Sequence, residues 1–474
     1  MRKLMVLLLA AGMMLGVSAP KAEAIELQAT GVWEFGYSWV KSPLERRSGE
    51  KNDTFNAVHR IRPQFSFIAS ENLQAVLQFE IGDGDGYWGQ GNGNAIGTDG
   101  INVKTRFAYL DWMVPGTEFQ VRMGLQPIST PAFTFNNPLM SELEVAGITM
   151  NWQICDPVGV SLAWMRPYNN YSKPHDTIDL FFLSVPVTMD GWKVTPYGMY
   201  GSIGRDAMGD NFNRTEDWGA EQDWLSNGLL PANGDAYLPG KKNHPTAWWL
   251  GLGGELTLFD PFRVAADFVY GSVNYGRGVD ASTGDRIKLK RRGWAVSAEA
   301  SYELDWFTPM LGFWYASGDD SNISNGSERL PVVYPSNGIT NFGFDGGWFD
   351  AGQLSTGSDG KWGISLQFND IKSFAEDLAH DFRVTYARGT NSKAMAAVVG
   401  DPFGADSGVD GLYLTRGDSA WEFDFDTKYQ IYKNLAAHVE LSYIKLHLKE
   451  ATWGHVSGRD ENAYKVGAYL TYEF

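Results

Sequence analysis

The sequence predicts an all-β protein: a transmembrane antiparallel β-barrel of about 18 strands, with 16 as the alternative count. Three observations carry that prediction. Segments with period-two alternation of apolar and polar residues recur along the chain. The connections between them alternate short and long. The last thirteen residues form one such segment and end on a phenylalanine.

Residues 1–24 read as a secretory leader outside the fold. Arg2 and Lys3 supply a positive start, Leu4 to Val17 an apolar run, and Ala22-Glu23-Ala24 a small-residue cleavage site. The apolar run is too short to cross a bilayer as a helix. Residues 25–474 are expected to form a single barrel domain, exported to the outer membrane of a Gram-negative cell. No later stretch is apolar enough for a spanning helix, so an exported soluble protein and a barrel are the two options.

Composition favours the barrel. Aromatics make up 14% of residues, with 18 Trp and 21 Tyr, yet mean hydropathy is slightly negative. A lipid-facing band combined with a polar interior produces that combination. The 54 glycines suit many turns and bulges. One cysteine excludes an internal disulfide or a Cys-rich metal site. The net charge of −17 argues against binding nucleic acid phosphates.

Eighteen alternating segments lie near 26–40, 55–69, 73–83, 102–114, 117–126, 144–154, 158–166, 177–187, 191–203, 246–258, 262–273, 288–304, 307–316, 361–369, 380–390, 419–431, 435–448 and 462–474. Leu73, Ala75, Leu77, Phe79 and Ile81 alternate with Gln74, Val76, Gln78 and Glu80. Trp421, Phe423 and Phe425 alternate with Glu422, Asp424 and Asp426. Two segments are poor: Asp179 to Val185 is apolar on both faces, and 307–316 barely alternates. The short connections include Ser70-Glu-Asn72, Pro115-Gly116, Met189-Asp-Gly191, Asp260-Pro261 and Lys433-Asn434. The long ones include 84–101, 127–143, 204–245, 317–360 and 391–418. Long structureless loops are unusual in a compact soluble domain, whereas an outer-membrane barrel is expected to carry short periplasmic turns and long extracellular loops. An even strand count puts both termini on the short-turn side, and a barrel this wide leaves an aqueous channel.

In the final segment Tyr464, Val466, Ala468, Leu470, Tyr472 and Phe474 share one face. The pattern Lys465-x-Gly467-x-x-Leu470-x-Tyr472-x-Phe474 resembles the β-signal read by the outer-membrane assembly machinery. The stretch Asn102–Gly116, then Val121-Arg-Met-Gly-Leu125 and Val145-Ala-Gly-Ile-Thr149, resembles the abundant homotrimeric porins of sulfate-reducing bacteria. Ile68–Leu73, Phe79–Asp83 and Ala163-Trp-Met-Arg-Pro-Tyr168 are similar to the same family. The resemblance implies a trimeric general-diffusion channel for ions and small hydrophilic solutes, needing no cofactor.

Candidate pore residues follow from strand phase. With apolar faces in lipid, Arg60, Arg62, Lys104, Arg106 and Arg122 point into the lumen, since a cation facing lipid costs ~2–4 kcal/mol near the midplane. On that phasing Thr105, Phe107 and Tyr109 face outward and Ala108 inward. The five cations form a basic wall at the constriction or ordinary wetted positions near one rim. The loop 127–143 is the third long one, the inward-folding loop of trimeric porins. Glu142 and Glu144 would then set acids against the arginines; an exposed surface loop is the other reading. The acids Asp206, Asp210, Glu216, Asp217, Glu221 and Asp223 form a solvated surface or bridge to lipopolysaccharide through divalent cations. Gly82-Asp-Gly-Asp-Gly86 lacks the fifth-position acid of a calcium loop. Trp248, Trp249, Trp294, Trp348 and Trp362 read as girdle or loop residues. Seven dispersed histidines without a His-x-x-x-His or Gly-x-Ser-x-Gly motif give no support to a barrel enzyme. A substrate-specific channel remains the alternative to a general pore.

Overall fold

In the computed structural model eighteen antiparallel strands form one closed barrel. The structure describes residues 25–42, 53–82, 88, 103–169, 177–204, 245–278, 284, 286–335, 338–344, 346–349, 352–355, 357–403, 412–454 and 462–474, with the backbone of 237–238, 279–280 and 323. The leader 1–24, the histidines 175, 244 and 455, the Gly-Asp stretch from 83 on and the acids between 206 and 223 lie outside the described residues.

In chain order the strands are β1 Glu26–Lys41, β2 Asp53–Ser70, β3 Leu73–Ile81, β4 Val103–Met113, β5 Phe119–Ile128, β6 Leu143–Cys155 and β7 Val158–Asn169. Then come β8 Thr177–Ser184 with its continuation Val187–Met189, β9 Trp192–Ile203, β10 Thr246–Phe259, β11 Phe262–Asp280 and β12 Arg286–Tyr302. The last are β13 Thr308–Ala316, β14 Lys361–Lys372, β15 Leu378–Gly389, β16 Ser419–Tyr432, β17 Leu435–His447 and β18 Asn462–Glu473. Pro186 interrupts β8 because it has no N–H for the ladder. A short pair, Tyr237–Leu238, extends the sheet above β11.

Each strand pairs with its chain neighbour, and β18 returns to β1 in a register running from Val32 opposite Glu473 to Lys41 opposite Tyr464. Two backbone bonds seal the seam below it: Gly31 N donates to the Phe474 carbonyl at 2.8 Å and Phe474 N to Gly31 at 3.0 Å. Closure leaves no open sheet edge, the condition for strands to stand in lipid.

Alternation fixes the outer surface. Trp33, Phe35, Tyr37 and Trp39 on β1, Leu250 and Leu252 on β10, and Trp421, Phe423 and Phe425 on β16 are all exposed. Their neighbours Ser38, Trp249, Glu422 and Asp424 are buried. Large apolar side chains outside and carboxylates inside invert the pattern of a soluble domain.

The core lies within the barrel, between the wall and three long loops. These are L3 (129–142), L7 (317–360) and L8 (390–418). One apolar cluster joins L3 and the first half of L7 to the inner faces of β6–β13, through Leu139, Met140, Leu330 and Val332 against Met165, Leu180 and Trp249. A second joins the rest of L7 and L8 to β13–β18 and to Val40 of β1, through Ile339, Phe342, Phe344 and Leu412 against Trp314 and Ile444. The poor alternation of β8 and β13 has its cause here. Leu180, Phe182 and Trp314 face loop side chains instead of water, while Leu183, Leu311 and Phe313 face out.

Candidate functional site: the inner wall of β2 to β5

Among the described residues, the two apolar clusters leave one sector of the inner wall to polar side chains. Apart from Ile128 at the end of β5, neither cluster contains a residue of β2–β5. Its inner face carries Arg60, Arg62, Gln64, Gln74, Gln78, Glu80, Arg106, Asp111, Gln120 and Arg122.

The polar side chains there form a ladder of pairs. Arg60 meets Glu34 of β1 at 2.7 Å. Arg62 pairs with Glu80, which also lies 3.6 Å from Arg106. Arg106 donates to Glu144 at 2.6 Å and to Gln78 at 2.8 Å, and Gln78 donates to Gln64 at 3.1 Å. Toward the short-turn end Arg122 meets Asp111 at 2.7 Å, and Gln120 donates to the same carboxylate. Lys104 is exposed and stands opposite Glu80 in register. The four arginine side chains are between 13% and 28% exposed. Pairs that accessible to water contribute ~0–1 kcal/mol each to stability. Their consequence is a local field and a set of fixed donors along the lumen.

Aromatic rings sit beside the guanidinium groups. Arg122 lies over Tyr109 at 4.5 Å, Arg106 over Phe107 at 4.9 Å and Arg60 over Phe349 of L7 at 5.4 Å. These contacts correct the phasing of β4. A bulge makes Arg106 an extra residue, with Phe79 opposite Thr105 but Gln78 opposite Phe107. Beyond it Phe107 and Tyr109 share the inward side of Gln78 and Val76, while Ala108 and Leu110 turn outward. Regular alternation places Phe107 and Tyr109 in lipid; one inserted residue brings them into the lumen beside the arginines.

L3 crosses from β5 to the wall formed by β11 and β12. The backbone N–H groups of Phe133 and Thr134 donate to Asp267 at 2.7–3.0 Å, and that of Phe135 to Glu299 at 2.7 Å. Arg263 donates to the Phe133 carbonyl at 2.6 Å. Glycines make room: a Cβ on Gly253 would strike the Phe133 ring at 2.8 Å, and one on Gly312 the Phe135 ring at 2.1 Å. Glu142 is exposed at φ 49°, its backbone N donating to Ser129 Oγ at 2.8 Å, and has no ion-pair partner among the described residues. Glu144 belongs to the arginine ladder.

L7 lies beside L3, and sequence reasoning missed its role. Met140 and Tyr334 form a parallel bridge between the loops, and Trp249 Nε1 donates to the Pro331 carbonyl at 2.8 Å. Trp249 is thus an interior anchor, not a girdle residue. The buried group Arg291, Asp359 and Arg329 fixes the first half of L7, with Arg291 2.8 Å from Asp359. For the second half, Phe342 and Gly343 N–H donate to Glu422, and Trp348 stacks on Tyr469 at 4.6 Å. Lys465 Nζ donates to the carbonyls of Asn341, Trp348 and Phe349 at 2.8–3.1 Å and pairs with Glu440 at 2.8 Å. Its neighbours in the terminal pattern divide by face: Gly467 is inward, while Leu470, Tyr472 and Phe474 run along the outer side of the seam. The available signal was the poor alternation of β8 and β13, whose inner faces had to be covered by something.

No family model and no curated protein matches the sequence. Among solved structures the barrel is similar to Pseudomonas aeruginosa OccK11 (OpdR), with a TM-score of 0.51 at 13% identity over 96% of this chain and 98% of that one. P. aeruginosa OprD, an outer membrane protein, aligns with a TM-score of 0.49 at 10% identity, covering 96% and 95%. P. aeruginosa OpdQ aligns at 0.48 and 11% identity, covering 94% and 97%. The likeness to OccK11 supports the barrel fold.

Proposed function

We propose that this chain is an outer-membrane porin, a water-filled channel for passive diffusion of ions and small hydrophilic solutes along the inner wall of β2–β5. The observation carrying the reading is the division of the lumen. Among the described residues, L3, L7 and L8 pack against the inner faces of β6–β18, and the remaining sector is polar, lined by Lys104 and by Arg60, Arg62, Arg106 and Arg122 with their carboxylate partners. An outward apolar band and a closed edge suit a bilayer, and the leader-like start suits export to the outer membrane. Lys465, Gly467, Leu470, Tyr472 and Phe474 are the proposed signal to the assembly machinery. Assembly as a homotrimer rests on the resemblance to porins of sulfate-reducing bacteria, and chemical cross-linking in membranes tests it.

Reconstitution into planar bilayers tests the channel itself. Stepwise conductance is expected; electrical silence together with hydrolysis of lipid or peptide would replace the channel with a barrel enzyme. A second reading, a substrate-selective channel, is favoured by the close pairing of the ladder and its flanking rings Phe107, Tyr109 and Phe349. Liposome swelling separates the two. Rates ordered by solute size alone mean a general pore, and rates ordered by charge and shape mean selectivity.

A further inference from the structure

We propose that the loop end of the β11–β12 hairpin, on the outside of the barrel, binds the phosphorylated headgroup of an outer-leaflet glycolipid directly through cationic side chains. The proposal rests on the outer-membrane reading above and concerns a surface separate from the lumen.

Ascending β12 from the membrane, the outward positions are Trp294, Arg292, Lys290, Lys288 and Arg286. They alternate with the buried residues Gly293, Arg291, Leu289 and Ile287. Arg277 joins them from β11, opposite Lys288. Five cations therefore stand together on one outer patch. Among the described residues none of them is ion-paired with a carboxylate, whereas Arg60, Arg62, Arg106 and Arg122 in the lumen all are. Among the described residues the charge of the patch is unmatched.

Its height matches a headgroup layer. Phe259, Tyr302 and Trp306 are exposed near the short-turn end of this sector, and Trp248 and Trp294, with the half-buried Tyr270, stand near the loop end. Eight residues separate Tyr302 from Trp294, about 27 Å along a strand. At a tilt of about 40° this is ~21 Å of height, close to the ~25 Å apolar band of such barrels. The upper aromatic row then marks the membrane boundary, and the cations begin immediately above it. At that level exposed charge costs ~0–1 kcal/mol, so nothing opposes their outward direction.

The patch also has shape. One cavity of about 360 Å³ is lined by Tyr270, Lys290, Arg292, Trp294, Ser317 and Ser327, with Glu328 at its side accepting from Asp320 N at 3.0 Å. A second of about 350 Å³ is lined by Arg277, Arg286, Lys288, Asn322 and Ser324, and Asn325 borders both. Arg292 is already held, its Nε donating to Tyr270 Oη and its guanidinium 5.3 Å from the ring centre. Cations suit phosphates, and interleaved amides and hydroxyls suit sugar hydroxyl groups. A ligand anchored by acyl chains reaches this height by diffusing in the membrane plane, which free phosphate does not.

The test uses the full-length protein purified in detergent, with deep-rough lipopolysaccharide as the probe and EDTA present to remove divalent bridges. The parent is expected to retain the probe. The variant Lys288→Gln/Lys290→Gln/Arg292→Gln should bind more weakly by about five-fold per cation, on the order of a hundred-fold for three. Its conductance in planar bilayers should equal the parent's, which certifies the fold because these side chains lie outside the lumen. Retention of the probe by the variant at the parent's affinity overturns the proposal. So does its loss from the parent in EDTA, or its equal displacement by phosphatidylglycerol or millimolar inorganic phosphate. A parent that binds the probe but never conducts refutes the porin reading and leaves this one standing.

Discussion

Replacing Arg60, Arg62 and Arg106 together with alanine should move ion selectivity toward cations. Each substitution removes one positive charge from the ladder and strips a partner from Glu34, Glu80 or Glu144. An ion passing about 6 Å from such a site feels ~0.7 kcal/mol per charge in water before screening. At physiological salt, with a Debye length of ~8 Å, about half survives, ~0.3 kcal/mol. Cations gain what anions lose, so the cation-to-anion permeability ratio rises about three-fold per charge and roughly thirty-fold for the triple variant. At 1 M salt the Debye length is ~3 Å and the triple effect falls to about two- to three-fold. Reversal potentials across a salt gradient in planar bilayers measure the ratio directly. The net charge of −17 does not enter, because acids more than a Debye length away are screened. Glu142→Gln should move the potential the opposite way by at most a single-charge step. A triple variant with the parent's reversal potential at low salt would mean that ions do not pass along β2–β5.

Three further outcomes follow from the packing. Lys465→Met leaves Glu440 buried without its cation and three L7 carbonyls without a donor. The cost is ~3–5 kcal/mol at that contact, and the expected result is a larger, noisier conductance with protease cleavage between 338 and 349. Deleting Phe474, or replacing Tyr472 and Phe474 with serine, removes apolar outer surface at the seam, and the deletion also removes its bonds to Gly31. Heat-modifiable folded barrel in the membrane fraction should drop, and unchanged surface levels would exclude the terminal pattern as an assembly signal. Cys155, exposed beside the short β6–β7 turn, should react with a bulky impermeant maleimide only after the periplasm is opened. Labelling on intact cells would invert the assigned orientation.

The barrel was legible in the sequence because its outer face is dictated by solvent alone. Every strand that meets lipid on one side must repeat apolar residues at period two, as β3 and β16 do, and every short turn must be polar or glycine-bearing. Those constraints are local, so all eighteen strands could be located without knowing which neighbour each would pair with. The hairpin β11–β12 extends past what alternation marks: its strands run on to Asp280 and Arg286, beyond the residues that lipid contact constrains. The lumen was only partly legible. Inward arginines follow from strand phase, but the bulge at Arg106 turns Phe107 and Tyr109 beside them, and nothing local in the sequence marks it. Lys465, legible as part of a terminal pattern, gains its role of holding L7 only from carbonyls more than a hundred residues away in the chain. The carboxylates Glu34, Glu80 and Asp111 become partners of the arginines only when neighbouring strands set them at one height. What the sequence determined was the wall, where each residue answers to the medium on its own side. What tertiary structure decided was the division of the interior, because that depends on which inner faces L3 and L7 cover, and such loops are positioned by contacts remote in sequence.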